Sequence, residues 1–185
     1  TDIALLRVEA DGLAAVPLGD SDAVRVGETV AAVGNPFGLS TTVTKGIISA
    51  DGRSMPGSSY VDFFQTDAAI NRGNSGGPLF NMTGEVIGVN TAIFSPSGGN
   101  VGIGFAVTSN IVEDVVADLR EDGRVERGWL GVSIQTVTPE IADAVGLDAP
   151  RGALVAGLVE DSPSSGALQP GDVILSFAGE DVAQS

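Results

Sequence analysis

The 185-residue sequence contains no cysteine and no histidine. Without cysteine there are no disulfides, thiolate metal sites or cysteine nucleophile. Without histidine, any chemistry that needs an imidazole must take it from outside these residues. No uninterrupted apolar run reaches the roughly 18 residues that would read as a membrane span. Basic residues are scarce: 9 Lys and Arg stand against 24 Asp and Glu, a formal charge of −15, and Lys45 is the only lysine. Such a surface repels nucleic-acid phosphates and anionic membranes, so no nucleic acid is expected as a partner.

What is present is a succession of short apolar, β-branched runs at residues 3–8, 29–33, 42–48, 63–65, 85–91 and 102–107. Turn-forming clusters separate them, among them Gly34-Asn35-Pro36, Asp51-Gly52, Asn81-Met82-Thr83-Gly84 and Pro96-Ser97-Gly98-Gly99. With 26 glycines in the chain, the pattern predicts a mainly β protein built as an antiparallel barrel or sandwich. One helix is expected over about 109–122. Thr108 or Ser109 can cap it, Ile111, Val112, Val115, Val116 and Leu119 recur at helical spacing, and Gly123 suits its end. Charged residues 124–127 read as a connector, so a domain boundary is expected there, with new strands beginning near Gly128-Trp129-Leu130-Gly131.

The chemically distinctive stretch is Gly73-Asn74-Ser75-Gly76-Gly77-Pro78. A serine hydroxyl becomes a nucleophile when it is exposed, oriented and hydrogen-bonded to a base. Acyl transfer also needs backbone N–H groups aimed at the developing oxyanion. Glycine at 73 permits the backbone to turn its N–H outward, and Gly76 and Gly77 leave room for close backbone approach. Taken alone, such a loop is usually an ordinary turn.

Its surroundings carry more. The stretch from Gln65 through Thr66-Asp67-Ala68-Ala69-Ile70-Asn71-Arg72 to Pro78 closely resembles the active-serine segment of the HtrA (Deg/Do) family of trypsin-like serine proteases. Thr1-Asp2-Ile3-Ala4-Leu5-Leu6 resembles the segment bearing that family's catalytic aspartate. Residues 33–39, 43–50 and 100–107 match further family segments in the same order. The resemblance implies a trypsin-like double β-barrel protease domain over 1–123, of which these residues hold the later part, followed by a PDZ domain (α+β) over 128–185. It makes Ser75 the nucleophile and Asp2 the carboxylate that orients the histidine. Gly73, Asn74 and Ser75 become the oxyanion-hole segment, with the N–H groups of Gly73 and Ser75 as donors. Trypsin-like enzymes order the triad His, Asp, Ser, so the histidine is expected upstream of Thr1 and both chain ends read as cut. Without the resemblance, Asp2 reads as an exposed acid at a frayed end.

Asn74 departs from trypsin itself, whose relatives carry there an aspartate that pairs with a newly cut N-terminus. Asparagine cannot form that ion pair, so control by loop ordering is expected, with residues 53–60 as sensor and Arg53 as its contact or as a plain solvated arginine. Ile70, Ala92 and Ile93 are expected to shape an uncharged primary specificity pocket. The alternative for the two isoleucines is the barrel core. Residues 90–92 would pair with the substrate backbone as an added strand.

Trp129-Leu130-Gly131-Val132 resembles the carboxylate-binding loop of a PDZ domain, with N–H groups around Leu130 and Gly131 as donors and residues 132–134 as a strand edge. Arg151-Gly152-Ala153-Leu154-Val155 and Gln169-Pro170-Gly171-Asp172-Val173-Ile174-Leu175 match PDZ strands and their Pro-Gly-Asp turn. Asn81-Met82-Thr83 fits a glycosylation sequon but reads better as a hairpin cap. The glycines of 98–104 lack the helix a nucleotide loop requires. Asp161, Asp172 and Asp181 have no metal-ligand spacing, and no cofactor is implied. Family resemblance therefore implies an ATP-independent, periplasmic or extracytoplasmic endopeptidase for unfolded or damaged proteins. It would bind peptide C-termini and assemble as a homo-oligomer built on trimers. The alternative is a non-catalytic chaperone or peptide-binding relative with the same fold.

Overall fold

The computed structural model describes residues 2–182 except 39, 56, 57 and 97. The chain divides into two compact units, Thr1–Glu126 and Arg127–Ser185.

The first unit is a closed antiparallel barrel of six strands: β1 (Thr29–Gly34), β2 (Thr42–Met55), β3 (Ser58–Thr66), β4 (Pro78–Phe80), β5 (Val86–Ile93) and β6 (Gly104–Thr108). Their order around the barrel is β1-β2-β3-β6-β5-β4, which closes because β1 pairs with both β2 and β4. The alternation expected of strands half-buried on one face is visible in β1, where Val30 and Ala32 point into the barrel. With Ile48, Leu79 and Ile87 they form the fully buried centre of the fold. A second cluster, including Phe63, Val107 and Val112, joins the barrel to α1 (Ser109–Glu121).

That helix lies where its apolar spacing predicts. Thr108 is the N-cap by backbone conformation, but neither Thr108 nor Ser109 caps it with a side chain. The Ser109 hydroxyl instead donates to the Gly19 carbonyl at 2.6 Å, tying the helix start to the segment before β1.

Two expectations fail. Residues 3–8 are not a strand: residues 2–16 form neither helix nor strand, and Leu6 is 81 % exposed. A strand needs a neighbour for its N–H and C=O groups, and none lies alongside among the described residues. Only Ile3 of this run packs against a core cluster. Of residues 53–60, those at 53–55 and 58–60 are strand and not loop: β2 runs to Met55, β3 begins at Ser58, and register shifts bend their ladder, while 56 and 57 lie outside the described residues. The Arg53 guanidinium donates to Gln65 Oε1 at 3.2 Å, across that ladder.

The turn joining β4 to β5 spends the sequon locally. Asn81 Oδ1 accepts from the N–H of Thr83, the hydroxyl of Thr83 and the N–H of Glu85, while Asn81 Nδ2 donates to Glu85 Oε2 at 2.7 Å. Hydrogen bonds from Asn81 first, then Thr83, hold the Glu85 carboxyl below its ordinary range. A depressed carboxylate stabilises the fold above its unfolded pKa, and that contribution is lost as pH falls through the folded value. Melting wild type and Glu85→Gln from pH 7 down to pH 3 is therefore expected to show a difference that shrinks toward acid. A constant difference would show that the turn does not depend on the charge.

The second unit holds β7 (Val132–Thr136), α2 (Pro139–Val145), β8 (Ala153–Leu158) and β9 (Val173–Ile174) in a sheet of order β7-β8-β9. A small hairpin, β10 (Ser176–Phe177) with β11 (Glu180–Asp181), follows. Thr138 caps α2 through its hydroxyl, and Gly146 ends it in the left-handed conformation.

Candidate functional site

The loop between β3 and β4 carries Ser75, and polar side chains fasten it at several points. Asp67 Oδ1 accepts from the Ile47 N–H at 2.7 Å, and the Thr66 hydroxyl donates to the Ile47 carbonyl at 2.8 Å. The Ala69 carbonyl takes both the Thr44 hydroxyl and Asn74 Nδ2. The Ile70 carbonyl takes Asn100 Nδ2 at 3.0 Å. Thr44, Thr66 and Asp67 thus brace the 43–50 and 65–71 segments against one another.

Residues 35–37 fix the next step. Two successive carbonyls of the loop face them: Arg72 O accepts from the Phe37 N–H at 2.9 Å and Gly73 O from the Asn35 N–H at 3.0 Å. The described peptides are all trans, so the N–H of Gly73 points to the side opposite the Arg72 carbonyl. Gly73 has φ +101°, and a Cβ there would lie 2.2 Å from the Asn35 carbonyl oxygen, so glycine is required both by conformation and by space. Phe37, whose N–H holds the Arg72 carbonyl, itself sits at φ 56°, a strained conformation for an aromatic residue.

Among the described residues, no hydrogen bond takes the N–H of Gly73 or of Ser75. Asn74 is different: its N–H is spent on the Asn71 carbonyl at 3.0 Å and its side chain is 1 % exposed. Asn74 belongs to the oxyanion-hole segment without offering its own N–H. It anchors the loop from within, and the amide oxygens of Asn74 and Asn90 are left without a donor.

Ser75 is exposed, and its hydroxyl donates to the Thr91 carbonyl at 3.0 Å. Thr91 is free to accept it because it falls at an irregularity between Asn90 and Ala92 in the β5–β6 ladder. The Asn90 backbone clamps the far side of the serine, accepting from Gly76 N–H and donating to the Gly77 carbonyl. The β4–β5 ladder ends at Val89, so residues 91–93 have no strand on that side. An exposed hydroxyl, two unclaimed N–H groups beside it and an open strand edge can together hold an acyl group for nucleophilic attack.

Not every expected residue joins them. Asp2 is exposed at φ 58°, and no hydrogen bond or ion pair links it to the serine loop. Ile70 lies in the central core cluster at 1 % exposure, with half-buried Ile93 packed against that cluster and Ala92 half-buried beside it. In the second unit, Trp129 and Leu130 are exposed, Gly131 adopts φ +71°, and Val132 begins β7, which is an edge strand. The sequence signals missed the 35–37 clamp, although the motif containing it was visible as a family segment.

The Trypsin-like peptidase domain family matches residues 1–89. A "Probable periplasmic serine endoprotease DegP-like" from Pseudomonas putida strain GB-1 is 55 % identical over 186 aligned residues, covering 100 % of this chain and 39 % of the relative. A protein of the same description from Halomonas elongata is 54 % identical with the same coverage. The chain thus spans about two-fifths of the length of these curated relatives. Among solved structures, "HtrA-type protease AlgW with tripeptide" superposes with TM-score 0.83 at 50 % identity, over 95 % of this chain and 59 % of that one. Its counterpart with a decapeptide gives 0.75 at 49 % identity, over 96 % and 55 %.

Proposed function

This chain belongs to the HtrA family of trypsin-like serine proteases, and on that premise we propose that it carries the nucleophile, oxyanion hole and specificity pocket of an ATP-independent serine endopeptidase. Its substrates are unfolded or damaged proteins, and its compartment is the periplasm, as the names of its relatives indicate for them. The observation that carries the reading is the Arg72–Gly73 peptide. With its carbonyl drawn back by Phe37, it leaves its N–H free beside the free N–H of Ser75.

The chemistry follows from these groups. An imidazole from outside these residues removes the proton of Ser75 Oγ as the oxygen attacks the scissile carbonyl carbon. The N–H groups of Gly73 and Ser75 take the negative charge that develops on the carbonyl oxygen. Collapse of the tetrahedral species breaks the C–N bond, and the leaving amine takes the proton back from the imidazolium. Water then hydrolyses the acyl-serine by the same route. Asp2 orients and stabilises the imidazole. The Ser75 hydroxyl, which donates to the Thr91 carbonyl, turns from it to react.

Residues 1–123 form the protease part and residues 128–185 a PDZ domain that binds peptide C-termini through the loop at 129–132. The protein works as a homo-oligomer built on trimers. The open edge at 91–93 receives the substrate backbone. Ile70, Ala92 and Ile93 shape a pocket without charge, where an unpaired lysine or arginine would be costly to bury.

Mapping the cuts that the full-length protein makes in a denatured protein tests this reading. Cleavage after Val, Ala and Ile is expected. Dominant cleavage after Arg or Lys would overturn the pocket, and no cleavage at all would overturn the enzyme.

A further inference from the structure

Every carbonyl from Ala69 to Gly73 is held by a donor. The Thr44 hydroxyl and Asn74 Nδ2 share Ala69 O, and the Asn74 N–H takes Asn71 O. The N–H groups of Phe37 and Asn35 take the carbonyls of Arg72 and Gly73. These donors lie in the serine loop itself or in residues 35–44. Ile70 is the exception. Its carbonyl accepts from Asn100 Nδ2 at 3.0 Å, out of the turn between β5 and β6. The Asn100 N–H also reaches Asn71 Oδ1, at 3.4 Å. Among the described residues, no hydrogen bond from 94–103 other than those of Asn100 reaches the serine loop. The chain has no cysteine that could fasten the two turns covalently.

The Asn100 side chain is set in advance for this bond. Its Oδ1 accepts the Gly102 N–H at 2.8 Å, where Gly102 takes the left-handed conformation at φ 85°. With the oxygen so committed, the donor end of the amide faces Ile70. The Phe94 N–H closes the base of the turn on the Ile103 carbonyl at 3.0 Å.

The bond lands on a wall of the pocket. Ile70 lies against Gly104, where an added Cβ would stand 2.7 Å from Ile70 Cγ1. Gly104 is paired with Ile93 across the β5–β6 ladder. The two isoleucines thus flank one glycine, Ile93 carried by β5 and Ile70 by the serine loop. Their separation depends on how that loop is fastened to the β5–β6 turn.

We propose that Asn100 is a positioning residue for substrate selection: its amide clasps the Ile70–Asn71 backbone to the β5–β6 turn and so fixes how far Ile70 stands from Ile93. The proposal rests on the specificity pocket assigned under the proposed function. Without the Nδ2 donor the Ile70 carbonyl loses its partner, the wall can retreat, and a pocket sized for valine admits a longer side chain.

The test uses full-length protein and two chromogenic peptides that differ only in valine or leucine before the scissile bond. Wild type is expected to favour valine about tenfold in kcat/KM, the discrimination that one methylene gives in an apolar pocket. No preference in wild type would overturn the pocket itself, and this proposal with it. Given the preference, Asn100→Asp separates the two readings. It keeps an oxygen for the Gly102 N–H but turns a second oxygen, in place of a donor, toward the Ile70 carbonyl. The valine-to-leucine ratio should then fall about fivefold. A merely structural role would slow both peptides alike, so an unchanged or higher ratio in the folded variant would overturn the clasp while leaving the pocket standing. Should that variant fail to fold, Asn100→Ser reads the same ratio, because its hydroxyl can still take the Gly102 N–H but is too short to reach Ile70. A fall supports the proposal and no fall overturns it.

Discussion

Replacing Ser75 with alanine in the full-length protein is expected to lower kcat on the order of 10⁶-fold, the loss seen when a serine nucleophile is removed from a triad whose members act as a unit. The fold should barely notice. The hydroxyl is exposed, its single hydrogen bond goes to the Thr91 carbonyl, and no core atom is removed. Thermal melting should therefore shift little, in keeping with the small effect of surface substitutions. Binding of unfolded protein should persist, because the edge at 91–93 is backbone and remains in place. The measurement is turnover of a denatured protein beside a melting curve of the same preparation. Turnover near the wild-type rate in the folded variant would exclude Ser75 as nucleophile. An equal loss of activity and stability would mean that the serine matters to the loop and not to the chemistry.

A second large effect is expected of the 185-residue polypeptide by itself: it should cleave no peptide bond and resist labelling by a fluorophosphonate. Such probes report a serine whose proton is being removed, and no imidazole exists among these residues. Asp2 cannot stand in, since it is exposed and joined to the serine loop by no hydrogen bond or ion pair. The two free N–H groups do not rescue the reaction, because they stabilise charge that forms only after the nucleophile attacks. Full-length protein treated in parallel should label at Ser75, and mass spectrometry of the labelled peptide locates the adduct. Robust labelling of the 185-residue polypeptide would mean that Ser75 is activated by a group other than histidine.

Much of this could be read from residue order. Alternation and turn residues located the strands at 29–33, 42–48, 63–65, 85–91 and 102–107, and helical spacing located α1, because these patterns report which side chains face a core. The serine motif was legible for a related reason: a glycine-rich stretch of that composition serves few purposes once its neighbours match in order. Strand-like composition at 3–8 was misleading, since it states that a segment would pair and not that a partner is there. The strand residues at 53–55 and 58–60 were missed because Gly, Ser and Pro mark turns by local preference, whereas strands are held by pairing across the ladder.

What the sequence by itself determined is therefore chemical kind: an acidic, mainly β protein, a serine set among glycines, and no imidazole among its residues. What only the tertiary structure decided is direction. Whether the N–H of residue 73, 74 or 75 is free depends on which donors stand across from the neighbouring carbonyls. Asn35 and Phe37 decide it at the serine. A peptide plane can turn either way at little local cost where glycine is present, so its orientation is set by partners distant in sequence, and residue order alone does not contain them.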